Sequence, residues 1–142
     1  MKVVDIARVD MDSPLSIPSF LSGVQAGFPS PAEDYIEKTL DINELVVEHP
    51  AATFFVRVEG DSMQDAGIQT GDILVVDRSL DASSGKIVIA VLNGEFTVKR
   101  LRMDDSGVYL VPENPRFPPI KVGEDAECTI WGVVSYVIHK AI

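Results

Sequence analysis

The chain is poor in the residues that usually carry metal and nucleophile chemistry. Among its 142 residues there is one cysteine, and there are two histidines. A single cysteine excludes an intramolecular disulfide, so packing has to hold the fold. The length is enough for that, because a domain of this size buries a large fraction of its surface. Cys128 lies in the apolar run Cys128-Thr129-Ile130-Trp131, where it reads as a small buried hydrophobe with no histidine nearby to activate it. His49 precedes a proline and His139 sits near the C-terminal end, so one cysteine and two distant histidines give no zinc-ligand spacing. No phosphate loop of the G-x-x-x-x-G-K form occurs. The expectation is a protein with no metal and no cofactor.

Long apolar runs are missing as well. None approaches the roughly 20 residues of a membrane span. Met1-Lys2-Val3-Val4-Asp5 lacks the apolar stretch of a signal peptide. A cytoplasmic protein without membrane contact is expected. Basic residues are scarce, 12 against 22 acids, for a net charge of −10. A surface so acidic does not neutralise phosphates, and direct DNA binding is not expected. Half of that negative charge falls between Glu33 and Glu48, where six acids face Lys38 alone. This stretch is either a solvated face or a docking surface for a basic partner.

What is present divides the chain. Residues 1–32 contain Pro14, Pro18, Pro29 and Pro31, which exclude a long helix or a central strand. They read as an extended N-terminal arm, followed by a domain over 33–142. From Pro31 the spacing of Tyr35, Ile36, Leu40, Leu45 and Val46 predicts a short helical segment, with Asp41 and Glu44 offering a second cap. Beyond residue 53 the pattern becomes β. Runs at 53–58, 73–76, 86–92, 95–103, 108–111 and 129–138 alternate with turn residues, which suggests a mostly β sandwich or partly closed barrel. Asn93-Gly94 predicts a type I′ turn pairing Lys86–Leu92 with Glu95–Met103.

Two side chains have chemical potential. Ser62 follows a strong strand in Val58-Glu59-Gly60-Asp61-Ser62-Met63-Gln64-Asp65. With Asp65 three residues on, it reads as the cap of a short helix. It also reads as an exposed nucleophile on a tight turn, with the backbone N–H groups of Asp61 and Ser62 as candidate oxyanion donors. Lys99 lies on a strand, on one face with Thr97, Leu101 and Met103. Either it snorkels to solvent, or it is buried, its ammonium is disfavoured, and its amine serves as a base.

Three motifs in order decide between these readings. Gly60-Asp61-Ser62-Met63 with Gly71-Asp72-Ile73-Leu74, Gly94-Glu95-Phe96-Thr97-Val98-Lys99, and Ala26-Gly27-Phe28-Pro29 together resemble the UmuD/LexA family of self-cleaving peptidases. The resemblance implies a LexA/signal-peptidase-like β-rich fold, Ser62 as nucleophile, Lys99 as general base, and Ala26–Gly27 as the bond cut. Where the UmuD motif often has Cys before the Gly, this chain has Ala26. The 26 residues before Gly27 are too few for a helix-turn-helix domain, so the resemblance is to the UmuD branch and not to the repressors. It implies cleavage promoted by a RecA–single-stranded DNA filament, a homodimer, and an accessory role for a UmuC-type translesion polymerase in SOS mutagenesis. The alternative is a non-enzymatic β-rich interaction module in which Ser62 and Lys99 are inert.

Overall fold

The structure is a computed structural model, and it describes residues 1–11, 16–20, 36–123 and 127–142, with side chains outside 16–20 and 36–40. Ala26 and Gly27 lie outside the described residues. The chain forms two compact units, Met1–Val9 with His49–Ile142, and Asp10–Glu48. This division differs from the boundary expected after residue 32, because the first residues form a strand of the main sheet.

The smaller unit holds β2 (Ser16–Phe20) paired antiparallel with β3 (Ile36–Asp41), then helix α1 (Ile42–Val46). The helix expected from Pro31 onward is thus corrected: Ile36–Asp41 is a strand, and only the last turn is helical. Asp41 does cap that turn, accepting from Asn43 N at 2.9 Å. Isoleucine, threonine and leucine in 36–40 suit a strand as well as a helix, and a run this short carries too few residues for its period to decide.

The larger unit is one antiparallel sheet of eight strands in the order β1-β4-β5-β10-β6-β7-β8-β9. They are β1 (Lys2–Arg8), β4 (Thr53–Glu59), β5 (Ile73–Asp77), β6 (Ile87–Leu92), β7 (Glu95–Asp104), β8 (Gly107–Val111), β9 (Ile120–Val122) and β10 (Cys128–Ile138). Lys2 also pairs with Thr97 of β7. That pairing closes β1, β4, β5, β10, β6 and β7 into a ring, as the barrel expectation requires. The β6–β7 hairpin forms with the predicted partners, from Leu92↔Glu95 to Ile87↔Arg100. Asn93 and Gly94 both have positive φ (50° and 83°), the requirement of a type I′ turn.

Alternation along the strands sorts the side chains to two apolar groups. Val56 and Val58 of β4, Leu74 and Val76 of β5, Ile89 and Val98 surround Met63 and Ile68. Val88, Ala90, Leu101, Leu110 and Val133 form the second group on the opposite face. Each fully buried side chain of this size contributes about 1.5–3 kcal/mol. Trp131 closes one edge, against Phe54 (ring centroids 5.1 Å apart), Phe96 (5.8 Å) and the Arg78 guanidinium.

Both histidines are committed to buried carboxylates at the two ends of β5. His139 Nδ1 lies 2.7 Å from Asp72 and His49 Nδ1 lies 2.6 Å from Asp77. Burial pushes the Asp77 carboxyl up, but hydrogen bonds from Ser79 and His49 outweigh it and hold the carboxyl below its ordinary value. Cys128 is half-buried beside the second apolar group, and burial raises its thiol.

Gly132 of β10 lies beside the Val76 side chain of β5, its antiparallel neighbour in the sheet. A Cβ there would sit 2.5 Å from Val76 Cγ1. Gly132→Ala should therefore cost about 1–3 kcal/mol through overpacking. Urea unfolding should show a lower midpoint with unchanged slope.

Candidate active site

Ser62 is placed by the end of β4. The strand runs to Glu59, and the chain then turns sharply at Gly60, whose φ is +111°. A side chain there would also crowd the Met1 backbone, its Cβ 3.3 Å from Met1 Cα. The turn continues through Ser62 into a single 3₁₀ turn at Gln64–Ala66. Met63 precedes that turn, and no side chain caps it. Ser62 therefore does not serve as a helix cap. Nor is it exposed: it is 2% accessible, while its neighbour Met63 fills the first apolar group.

Lys99 comes from the middle of β7, opposite Val88 of β6. Only 7% of it is accessible, so it does not snorkel. Its Nζ lies 3.3 Å from Ser62 Oγ, 3.1 Å from Thr97 Oγ1 and 3.1 Å from the Val98 carbonyl. Burial lowers the Lys99 amine below its ordinary value, against a smaller opposing effect from hydrogen bonding with the N-terminal amine. When neutral, the amine keeps two N–H bonds, to Thr97 Oγ1 and the Val98 carbonyl. Its lone pair is then left for the Ser62 proton. Thr97 donates in turn to the Met1 carbonyl at 3.1 Å, so its own hydrogen does not compete for the lysine.

A third group meets the same hydroxyl. The Met1 amine donates to Ser62 Oγ at 2.5 Å. Burial, the charge of Lys99 and a hydrogen bond with it lower this amine to about 5, with Asp61 opposing. At neutral pH it is uncharged. Met1 thus covers one side of the Ser62 hydroxyl, and an incoming carbonyl must approach from another side or displace it.

Beside Lys99 a cavity of about 290 Å³ is walled largely by apolar groups, Leu92, Pro112, Phe117, Pro118 and Ile120, with Glu95 and Thr97 completing it. Such a trough suits an extended peptide with small or apolar side chains. Among the described residues, no three His, Cys, Asp or Glu side chains converge to hold a metal ion. No helix among them is long and apolar enough to cross a membrane.

The structure thus brings together Ser62 and Lys99, two residues singled out in the sequence, and adds Met1, for which no sequence signal stood out. Thr97 was legible as a neighbour on the lysine face, although not as its hydrogen-bond acceptor. The Peptidase S24-like family matches residues 18–135. The chain is 50% identical over 122 residues to the protein MucA of Salmonella typhimurium, covering 85% of this chain and 83% of MucA. It is 48% identical over 123 residues to the protein SamA of Salmonella typhimurium, covering 87% and 85% respectively. The LexA repressor of Pseudomonas chlororaphis is 41% identical over 130 residues, 91% of this chain but 62% of the repressor. The chain belongs to the S24-like peptidase family.

The lowered Lys99 amine has a consequence for stability. Between its lowered folded-state value and the unfolded-state value of about 10.4, the unfolded chain holds a proton that the folded chain has released. Stability therefore rises with pH through that window and levels off above it. Lys99→Met should remove this rise, which urea unfolding across about pH 8 to 10 would measure. A rise equally steep in the variant would assign it to another group.

Proposed function

We propose that this chain is a self-processing peptidase of SOS mutagenesis that cuts its own Ala26–Gly27 bond with Ser62 and Lys99. The observation that carries the reading is the buried pair itself. A serine hydroxyl sits 3.3 Å from an amine whose charge is disfavoured by burial. That is the arrangement a Ser/Lys mechanism needs, because a lysine acts as base only when neutral.

Ser62 Oγ attacks the Ala26 carbonyl while Lys99 takes its proton. The tetrahedral oxygen is stabilised by the backbone N–H groups at Asp61 and Ser62. Lys99 then passes the proton to the Gly27 nitrogen, and the C–N bond breaks, leaving an acyl-enzyme on Ser62. Water, deprotonated by Lys99, hydrolyses the ester. Small residues at 26 and 27 fit a narrow trough, and Gly27 accommodates a strained backbone. Tethering supplies the high effective concentration that lets a slow site cut its own chain.

The likeness to MucA, SamA and the LexA repressor supports placing this cut within the DNA-damage response. In this reading a RecA–single-stranded DNA filament promotes the productive pose. The part from Gly27 onward, as a homodimer, serves a UmuC-type translesion polymerase in the cytoplasm. The net charge of −10 agrees with action through protein partners instead of through DNA.

Purified chain incubated from pH 6 to 11 should be cut after Ala26, with a first-order rate that climbs as Lys99 loses its proton and then levels. Intact-mass measurement reads the product. Ser62→Ala and Lys99→Ala should each lower the rate by at least about 10³-fold, the scale of losing a nucleophile or its base. Cleavage persisting in either variant would point to another nucleophile. A wild-type chain that stays whole with and without RecA, DNA and nucleotide would favour an inert interaction module.

A further inference from the structure

We infer that Asn114 is a positioning residue that locks the Asp61–Ser62 peptide plane, and so aims the Ser62 N–H at the oxygen of the tetrahedral intermediate. This rests on the reading of Ser62 as nucleophile. Asn114 is only 4% accessible and lies in the loop that follows β8. Its Nδ2 donates to the Asp61 carbonyl at 2.9 Å. Its Oδ1 accepts from Arg116 N at 3.0 Å, which fixes which end of the amide points at Asp61. Its own carbonyl accepts from Phe117 N at 3.0 Å, closing the loop on itself.

The same loop grips the serine turn a second time. Asp65 N donates to the Glu113 carbonyl at 2.9 Å, and Glu113 is ion-paired to Arg100 of β7. The segment is therefore anchored on both sides of Ser62, upstream at Asp61 and downstream at Asp65. Apart from Asn114, the Asp61 carbonyl receives one backbone bond, from Gln64 N at 3.2 Å.

Peptide planarity turns this into a statement about the nucleophile. In a trans peptide the C=O of Asp61 and the N–H of Ser62 point in opposite directions. A donor that holds the carbonyl on one side holds the N–H on the other. That N–H meets no acceptor among the described residues, although Ser62 is 2% accessible. A buried backbone donor without a partner is uncommon and costs stability unless something supplies an acceptor. A developing oxyanion beside Ser62 is such an acceptor, and donors fixed in advance stabilise it without reorganisation.

Two measurements test this on the full chain. The first is the self-cleavage rate against pH for Asn114→Ala and Asn114→Asp, at a temperature where circular dichroism shows both folded. Asn114→Asp keeps the shape and loses the donor. The high-pH plateau should fall about 10- to 100-fold in both, below the full loss of an oxyanion donor, with the midpoint set by Lys99 unmoved. A plateau within threefold of wild type, or a moved midpoint with an unchanged plateau, would overturn the proposal. The second is nuclear magnetic resonance of uncut protein at pH 6. The Asp61 carbonyl and Ser62 amide resonances should move in both variants, while those of β5 and β10 stay. Unmoved resonances overturn the proposal whatever the activity. If the wild-type chain does not cut at all, the peptidase reading falls, and the resonances still decide whether Asn114 holds this peptide.

Discussion

The register of the β6–β7 hairpin decides on which side of the sheet the Lys99 amine emerges. In a strand, neighbouring side chains point to opposite faces, so a slip of one residue would carry Lys99 to the face of Val98. Val98 is buried in the group around Met63, where an amine would meet no acceptor. The two-residue turn at Asn93-Gly94 prevents that slip by fixing Leu92 against Glu95. From there the pairing counts down to Lys99 opposite Val88, on the side where Thr97 and Ser62 wait. A local turn preference thus sets the position of a group many residues from Ser62 in sequence.

The amine is tolerated inside the molecule because its surroundings suit the neutral form. Two acceptors, Thr97 Oγ1 and the Val98 carbonyl, satisfy the hydrogens of a neutral amine and leave one lone pair. A charged ammonium there would pay the desolvation of burial with no carboxylate beside it. Among the described residues, the buried carboxylates are Asp72 and Asp77, at the ends of β5, each with a histidine. Imidazole and amine chemistry are kept apart in the fold, and the Ser62 hydroxyl faces amines.

Strong periodic signals were legible in the sequence, and weak ones were not. Every run between residues 53 and 138 that read as a strand is one, because β-branched residues, alternation and turn residues agree there. β1 was not legible because Lys2–Arg8 is mostly exposed, with charged residues among its apolar ones and little alternation to read. β9 has three residues, too few for any period. Ile36–Asp41 carried apolar residues that fit two periods, and pairing with β2 decided between them. In the candidate site, Ser62 and Lys99 were visible only as individually ambiguous residues until three motifs were taken together. Asn114 carried no signal, since its role depends on a hydrogen bond to a residue 53 positions away. A polar residue in a proline-rich loop reads as solvent-exposed until its burial is known.

The ring of strands is unevenly sewn. β6 and β7 share six residue pairs, whereas β1 and β7 share only Lys2↔Thr97. Local opening follows the weakest cooperative unit, so the ring opens more readily at this seam than at the β6–β7 hairpin. Thr97, whose hydroxyl steadies the Lys99 amine, lies on it. The part of the ring with the fewest strand pairs is therefore the part beside the Ser62–Lys99 pair, while the hairpin that sets its register is the more fully paired.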